Sequence, residues 1–200
     1  MKKQIAFLLL VLIVCALSAC GGGSAGGKAS NLQGSPADVL AKIIEDAAKS
    51  LPADRPMPMC FDAEVNGDTS QNALGLSSAD FDKYVSSATV STAAIATFAH
   101  QVCLIQAKDA SSAAEVKKRI AGDGGFDSRK WICVFPEESS VIESGSYVLL
   151  AASRADVVEA VVAAFTEAAG TVGERETFFT SDSAGEGGMA LGGGMGLVLQ

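Results

Sequence analysis

The chain has 200 residues, 15 of them basic and 23 acidic, for a formal net charge of −8. That balance excludes the usual nucleic-acid binders, whose affinity comes from neutralising phosphates, so no nucleic-acid partner is expected. So acidic a chain should also be repelled by anionic lipid, and the simplest reading of its charge is solubility.

Lys2 and Lys3 are followed by an apolar run over residues 5–14 and then by Leu17-Ser18-Ala19-Cys20. A run of about ten residues has the length of a signal-peptide core and is too short to span a bilayer. Leucine, two small residues and cysteine in that register read as a bacterial lipobox. The expectation is a signal peptide over residues 1–19, cleaved between Ala19 and Cys20. Cys20 then carries S-diacylglycerol and an N-acyl chain such as palmitate. Two or three acyl chains hold a protein at a membrane stably, where one would be marginal. The expected location is therefore the extracytoplasmic side of the cell membrane, with the membrane engaged through the lipid anchor. Cleavage removes two lysines and no acid, leaving 13 basic against 23 acidic residues, or −10. Residues 20–34, rich in Gly and Ser, read as a flexible tether with a typical span of roughly 20 Å.

Residues 35–170 read as one domain with a modest core. Ser35, Pro36 and Asp38 open a helix whose apolar face is Val39, Leu40, Ile43, Ile44, Ala47 and Leu51, and Pro52 ends it. After a proline-rich connection over residues 53–59, residues 60–65 read as a short strand, with Asn66-Gly67-Asp68 as a turn. Residues 78–84 suit one or two helical turns. Residues 101–107 (QVCLIQA) read as a buried strand, and Asp109 starts a helix through Ile120. The apolar stretch 126–135 reads as helical, closed by Pro136. Residues 140–143 and 146–152 form a hairpin around Gly145. Ser153 caps a last helix with the stripe Val157, Val158, Val161, Val162 and Phe165, stopped at Gly170.

Residues 171–200 read as a disordered, Gly-rich tail. Phe178-Phe179 and Leu197-Val198-Leu199 interrupt it as candidates for docking on the domain, a membrane or a partner. The order strand, strand, helix, strand, strand, helix favours an α+β fold: an antiparallel sheet of about four strands with helices on one face.

No convincing catalytic, cofactor or metal signature emerges, so none is expected. Cys60, Cys103 and Cys133 form an odd set; one disulfide with a spare thiol competes with free thiols acting as small buried hydrophobes, the favoured reading for Cys103 and Cys133. Asp62, Glu64, Asn66 and Gly67 match part of a calcium loop, but Ala73 stands where a bidentate Glu is needed, so a turn with solvated carboxylates is the simpler reading. The glycines from Gly185 onward follow no strand and open no helix, unlike a phosphate loop. His100 lacks an evident nucleophile or orienting carboxylate. Glu137, Glu138 and Glu143 suit an acidic patch or a solvated loop. Trp131, Phe135 and Tyr147 sit in apolar patterns that favour packing.

Three segments together, residues 101–109, the Ala-rich helix to Arg119, and residues 135–150, resemble a family of lipoproteins from Gram-positive anaerobes of the clostridial type. It is catalogued as domain of unknown function four-three-five-eight. The resemblance covers roughly residues 35–168 and is a pattern of strands and turns. The family pattern often has Glu in place of Gln101 and Tyr in place of Phe135. It implies a lipid-anchored extracytoplasmic domain, brings no activity, and for an anaerobic source tilts the cysteines towards free thiols.

The expectation is a non-enzymatic binding or accessory module of the cell envelope with a protein partner. The alternatives are a cysteine-dependent hydrolase or thiol-redox enzyme using Cys60, Cys103 or Cys133, and a solute-capture protein.

Overall fold

A computed structural model describes residues 30–181. The signal peptide, the lipobox with Ala19 and Cys20, most of the tether, and the tail beyond Ser181 with Leu197-Val198-Leu199 lie outside the described residues. In chain order the elements are α1 (Pro36–Ser50), β1 (Cys60–Val65), α2 (Ser70–Leu74), α3 (Ser78–Tyr84), β2 (Val85–Ala93) and β3 (Gln101–Ala107). There follow α4 (Ala110–Ala121), β4 (Glu138–Ser144), β5 (Tyr147–Ser153), α5 (Ala155–Ala169) and β6 (Glu176–Thr180). One sheet in the order β1-β2-β3-β5-β4-β6 joins all six strands, each pair antiparallel. The fold is α+β.

Two features correct the sequence reading. The sheet has six strands where about four were expected. Helices also cover both faces instead of one. Alternate residues of the central strands divide between two cores, as the two-residue period of a strand requires. Cys103, Ile105, Val148, Leu150 and Ala152 pack with α2, α3 and α4, whereas Val102, Leu104, Leu149 and Ala151 pack with α1 and α5. The near-continuous apolar runs of β3 and β5 are those of strands buried on both sides. β2 escapes a sequence reading because its Ser, Thr and Ala residues carry little hydrophobic signal; it forms because it bridges β1 to β3. β6 lies in the expected tail. Its Thr177 and Phe179 find partners only because β4 offers an edge.

The domain consequently extends beyond both expected limits of 35–170. The Asn31 N–H donates to the Ala169 carbonyl at 3.0 Å, and Leu32 is buried. The stretch 126–135 is irregular instead of helical. The Asp127 carboxylate accepts the Arg129 N–H at 2.8 Å, a local turn that competes with helix, and Cys133 adopts φ 64°, which a helix excludes. Ser35 and Asp109 each accept a first-turn N–H as expected, and Ser77 does the same for α3. Ser153 does not cap α5; Arg154 stands at that position, and the Glu137 carboxylate accepts the Ala155 N–H at 3.0 Å.

Candidate functional site

Antiparallel pairing gives the sheet two distinct ends. At one end lie the starts of β1, β3 and β4 and the finishes of β2, β5 and β6. The chain enters the domain at the opposite end. There Ser30 lies against the hairpin turn at Gly145 (φ 57°), where an added Cβ would come within 3.0 Å of the Ser30 Cβ. Seven-residue strands set the two ends about 20 Å apart.

The end remote from Ser30 is apolar. Among the described residues the exposed large hydrophobic side chains are Met59, Phe61, Ile95, Phe98, Ile132 and Phe135. All six belong to segments at this end: the approach to β1 and the start of that strand with Phe61, the β2–β3 connection and the connection into β4. Phe98 and Phe135 line one cleft there, and exposed apolar side chains collected at one end of a domain mark interaction sites. Phe135 and Cys133 are therefore corrections, since both were expected to pack inside; residues 132–135 lie outside the core. Trp131 is partly buried against Phe126 at 6.2 Å, and Tyr147 is buried, its hydroxyl donating to the Gly34 carbonyl at 2.8 Å.

Within the apolar end sits a cleft of about 150 Å³, lined by Pro58, Phe98, His100, Phe135, Glu137 and Arg154 among others. His100 is 1 % exposed. Its Nδ1 lies 2.8 Å from the Ser153 hydroxyl, while its buried Nε2 has no partner within the described protein. Burial, and then the charge of Arg154, hold the imidazole down to about 4, so it is neutral near pH 7. Arg154 pairs with Asp156 at 3.0 Å and donates to the Arg55 carbonyl at 2.9 Å, tying the proline-rich connection to this end.

The arrangement is not that of a hydrolase triad. In a triad one imidazole nitrogen faces an accessible nucleophile and the other an orienting carboxylate. Here Ser153 is buried, His100 Nε2 faces neither group, and Glu137 is committed to the Ala155 N–H. The cleft is also smaller than the roughly 300–1,000 Å³ typical of small-molecule sites. It suits one inserted side chain.

A second cluster, not foreseen from the sequence, supports this end from the α4 side. Lys130 Nζ donates to Gln101 Oε1 at 2.7 Å and to the Asn72 carbonyl at 2.6 Å. Gln101 Nε2 donates to the Ala73 carbonyl at 2.6 Å and contacts Cys103 Sγ at 3.1 Å. Lys130 also lies 4.5 Å from the Phe126 ring centroid and 5.1 Å from that of Trp131. Burial lowers Lys130 to about 8 and raises Cys103 to about 12. Cys103 therefore remains a thiol, a poor nucleophile. The signal in the sequence was a glutamine beginning an apolar strand, a polar group that must find partners when buried.

The remaining candidates disperse. Cys60, Cys103 and Cys133 are free thiols, and burial raises the half-buried Cys60 as well. Asp62 and Glu64 project from β1, whereas the Asn66 side chain accepts the N–H groups of Asp68 and Thr69 at 3.0 and 3.1 Å, so the calcium-like residues do not converge. Among the described residues no group of three or more His, Cys, Asp or Glu could hold a metal ion. Glu138 pairs with Arg175 and Glu143 with Lys117 at 2.6 Å, so the three glutamates form no common patch. No helix among the described residues is long and apolar enough to cross a membrane.

Comparison with protein-family models, with curated proteins and with solved structures found no match. The resemblance drawn from residues 101–109, the helix to Arg119 and residues 135–150 therefore rests on those residues alone.

Proposed function

We propose that this chain is a lipid-anchored, extracytoplasmic binding module of the cell envelope whose apolar end docks a partner protein. In this reading cleavage after Ala19 leaves Cys20 acylated at the cell membrane. The observation that carries it is the gathering of Met59, Phe61, Ile95, Phe98, Ile132 and Phe135 at the end of the sheet remote from Ser30. An anchor upstream of Ser30 attaches at the other end, so the apolar end is offered away from the attachment. The mature charge of −10 disfavours docking of that end on anionic lipid. The reading is non-enzymatic, with no cofactor.

A photo-crosslinking residue placed at Phe98 or Phe135 in the full chain, in intact cells, should yield one discrete envelope-protein adduct. The same probe at Ser111, exposed on α4 at the other end, should not. Equal adducts from all three positions, or adducts to lipid alone, would refute the docking claim. Metabolic labelling with a palmitate analogue that survives in Cys20→Ser would refute the anchor.

A further inference from the structure

We infer that β1 accepts an added strand from the partner, an extended segment that alternates basic and apolar side chains. The inference deepens the binding reading by naming the chemistry of the partner, and its test does not depend on the anchor or on the cleft.

Among the described residues β1 ends the sheet and pairs with β2 alone. Six consecutive residues, Cys60 to Val65, keep one register from Ala93 to Ala88 without a bulge. In an antiparallel ladder alternate residues turn both backbone groups to the same neighbour. The Met59 carbonyl accepts the Ala94 N–H at 2.8 Å, so Phe61, Ala63 and Val65 bond to β2. Cys60, Asp62 and Glu64 consequently point their N–H and C=O groups outward, where they meet no partner among the described residues. Both faces of the strand are open as well. Residues 61–64 are all exposed, Phe61 at 68 %.

The side chains specify what fits. Asp62 and Glu64 share one face, beside a groove of about 320 Å³ that runs to Ser35 and Ala37 at the start of α1. Phe61 and Ala63 share the other face. Residues directly opposite across a ladder have side chains on the same face and interact. The residues opposite Asp62 and Glu64 should therefore be Lys or Arg, with the groove accommodating their long stems. The residue between them lies on the Phe61 side and should be apolar. A second copy of this chain fits poorly. Only Cys60, Asp62 and Glu64 offer outward groups, so antiparallel self-pairing must set those residues against one another. Asp62 against Asp62 or Glu64 sets carboxylate against carboxylate, which is destabilising, and Asp62 against Cys60 sets Glu64 against Pro58, which has no N–H to offer the ladder.

The test uses the full chain in detergent and a peptide of about eight residues alternating Lys and Phe. Controls are a peptide of the same composition in shuffled order and one with Glu for Lys. The alternating peptide should bind best and should slow hydrogen exchange at the amides of Asp62 and Glu64. The variant D62N/E64Q should weaken binding by about two- to thirtyfold, for two lost cross-strand ion pairs. D62K/E64K should transfer the preference to the Glu peptide. Glu64→Pro, which removes an outward donor and no ladder bond, should abolish binding while the chain stays folded. Equal binding of the shuffled peptide, unaltered exchange at Asp62 and Glu64, or self-association of D62N/E64Q without peptide binding would each overturn the inference. Crosslinks from Phe98 alongside any of these results would leave the docking reading standing and only the β1 assignment lost.

Discussion

The two edges of the sheet are built in opposite ways. β6, the shorter, is closed. Its pairing slips between Ser139↔Phe179 and Ser140↔Thr177, leaving Phe178 as an extra residue, and such a bulge blunts an edge. Phe178 turns into the core against Phe126, with ring centroids 6.3 Å apart. Arg175 clamps the start of the strand to Glu138 and, at 2.6 Å, to Glu159. β1 has none of these devices. It is regular, exposed on both faces and held by its ladder with β2 and by Val65 in the core. The edge at β1 carries no bulge and no clamp, only the exposed carboxylates of Asp62 and Glu64, which repel another acidic edge and leave its backbone groups open to a basic strand. That is the physical ground for reading it as a surface kept available.

The largest expected effect concerns the apolar end that the two edges share, and it must be separated from them first. Buried His100 binds its proton only near pH 4 in the native state, against about 6.5 when unfolded. The unfolded chain therefore takes up a proton there sooner. This contribution to stability is full above pH 6.5 and drains as the pH falls towards 4. At about 1.4 kcal/mol per pH unit it amounts to roughly 3 kcal/mol at most. Urea unfolding across that window should show the slope in the native chain and lose it in His100→Gln. Equal slopes would contradict a buried neutral imidazole.

With that accounted for, the closed edge should be costly to damage. Phe178→Ala should remove about 2 kcal/mol, less than a fully buried Phe because the ring is only partly covered. A loss below about 0.5 kcal/mol would mean the bulge does not anchor the edge. Arg175→Gln should cost roughly 1–2 kcal/mol by leaving Glu138 poorly paired. Burial opposes the charged form of Glu138, but the Ser140 hydroxyl, Arg175 and Thr177 outweigh it and hold the carboxyl below its ordinary range. Its contribution is therefore present above about pH 4.5 and lost as the pH falls through the lowered value. Denaturation of the variant in a His100→Gln background should show a flatter acid limb. An unchanged limb would remove Arg175 as the cause.

The open edge should separate backbone from side chain. Ala63→Pro takes away a donor to β2 and should destabilise by about 1–3 kcal/mol. Glu64→Pro, one residue on, takes away only an outward donor and should cost about 1 kcal/mol less. If the order is reversed, the assignment of outward groups is wrong. The smallest effect belongs to Phe61→Ser, expected within about 0.5 kcal/mol of the native chain because the ring is exposed.

What a short stretch of residues can specify, the sequence determined. α1 with its Ser35 cap, the strand at β3, the hairpin around Gly145 and the apolar stripe of α5 all follow from local periodicity and capping, which involve neighbours within one or two turns. The lipobox proposed at residues 17–20 is a pattern of the same local kind. His100 could be singled out as an isolated histidine, but not given a partner. Only tertiary structure brought Ser153, 53 residues away, to its Nδ1 and so diverted that serine from capping α5. Only tertiary structure made strands of the Ser/Thr-rich segment β2 and of Glu176–Thr180, because an edge already in place supplies hydrogen bonds that their own composition does not promise. Most consequentially, the pattern at Cys60–Val65 announces a strand but not that it is the last in the sheet. Whether Asp62 and Glu64 decorate an interior strand or frame an open edge depends on the order of all six strands, and that order is a property of long-range pairing alone.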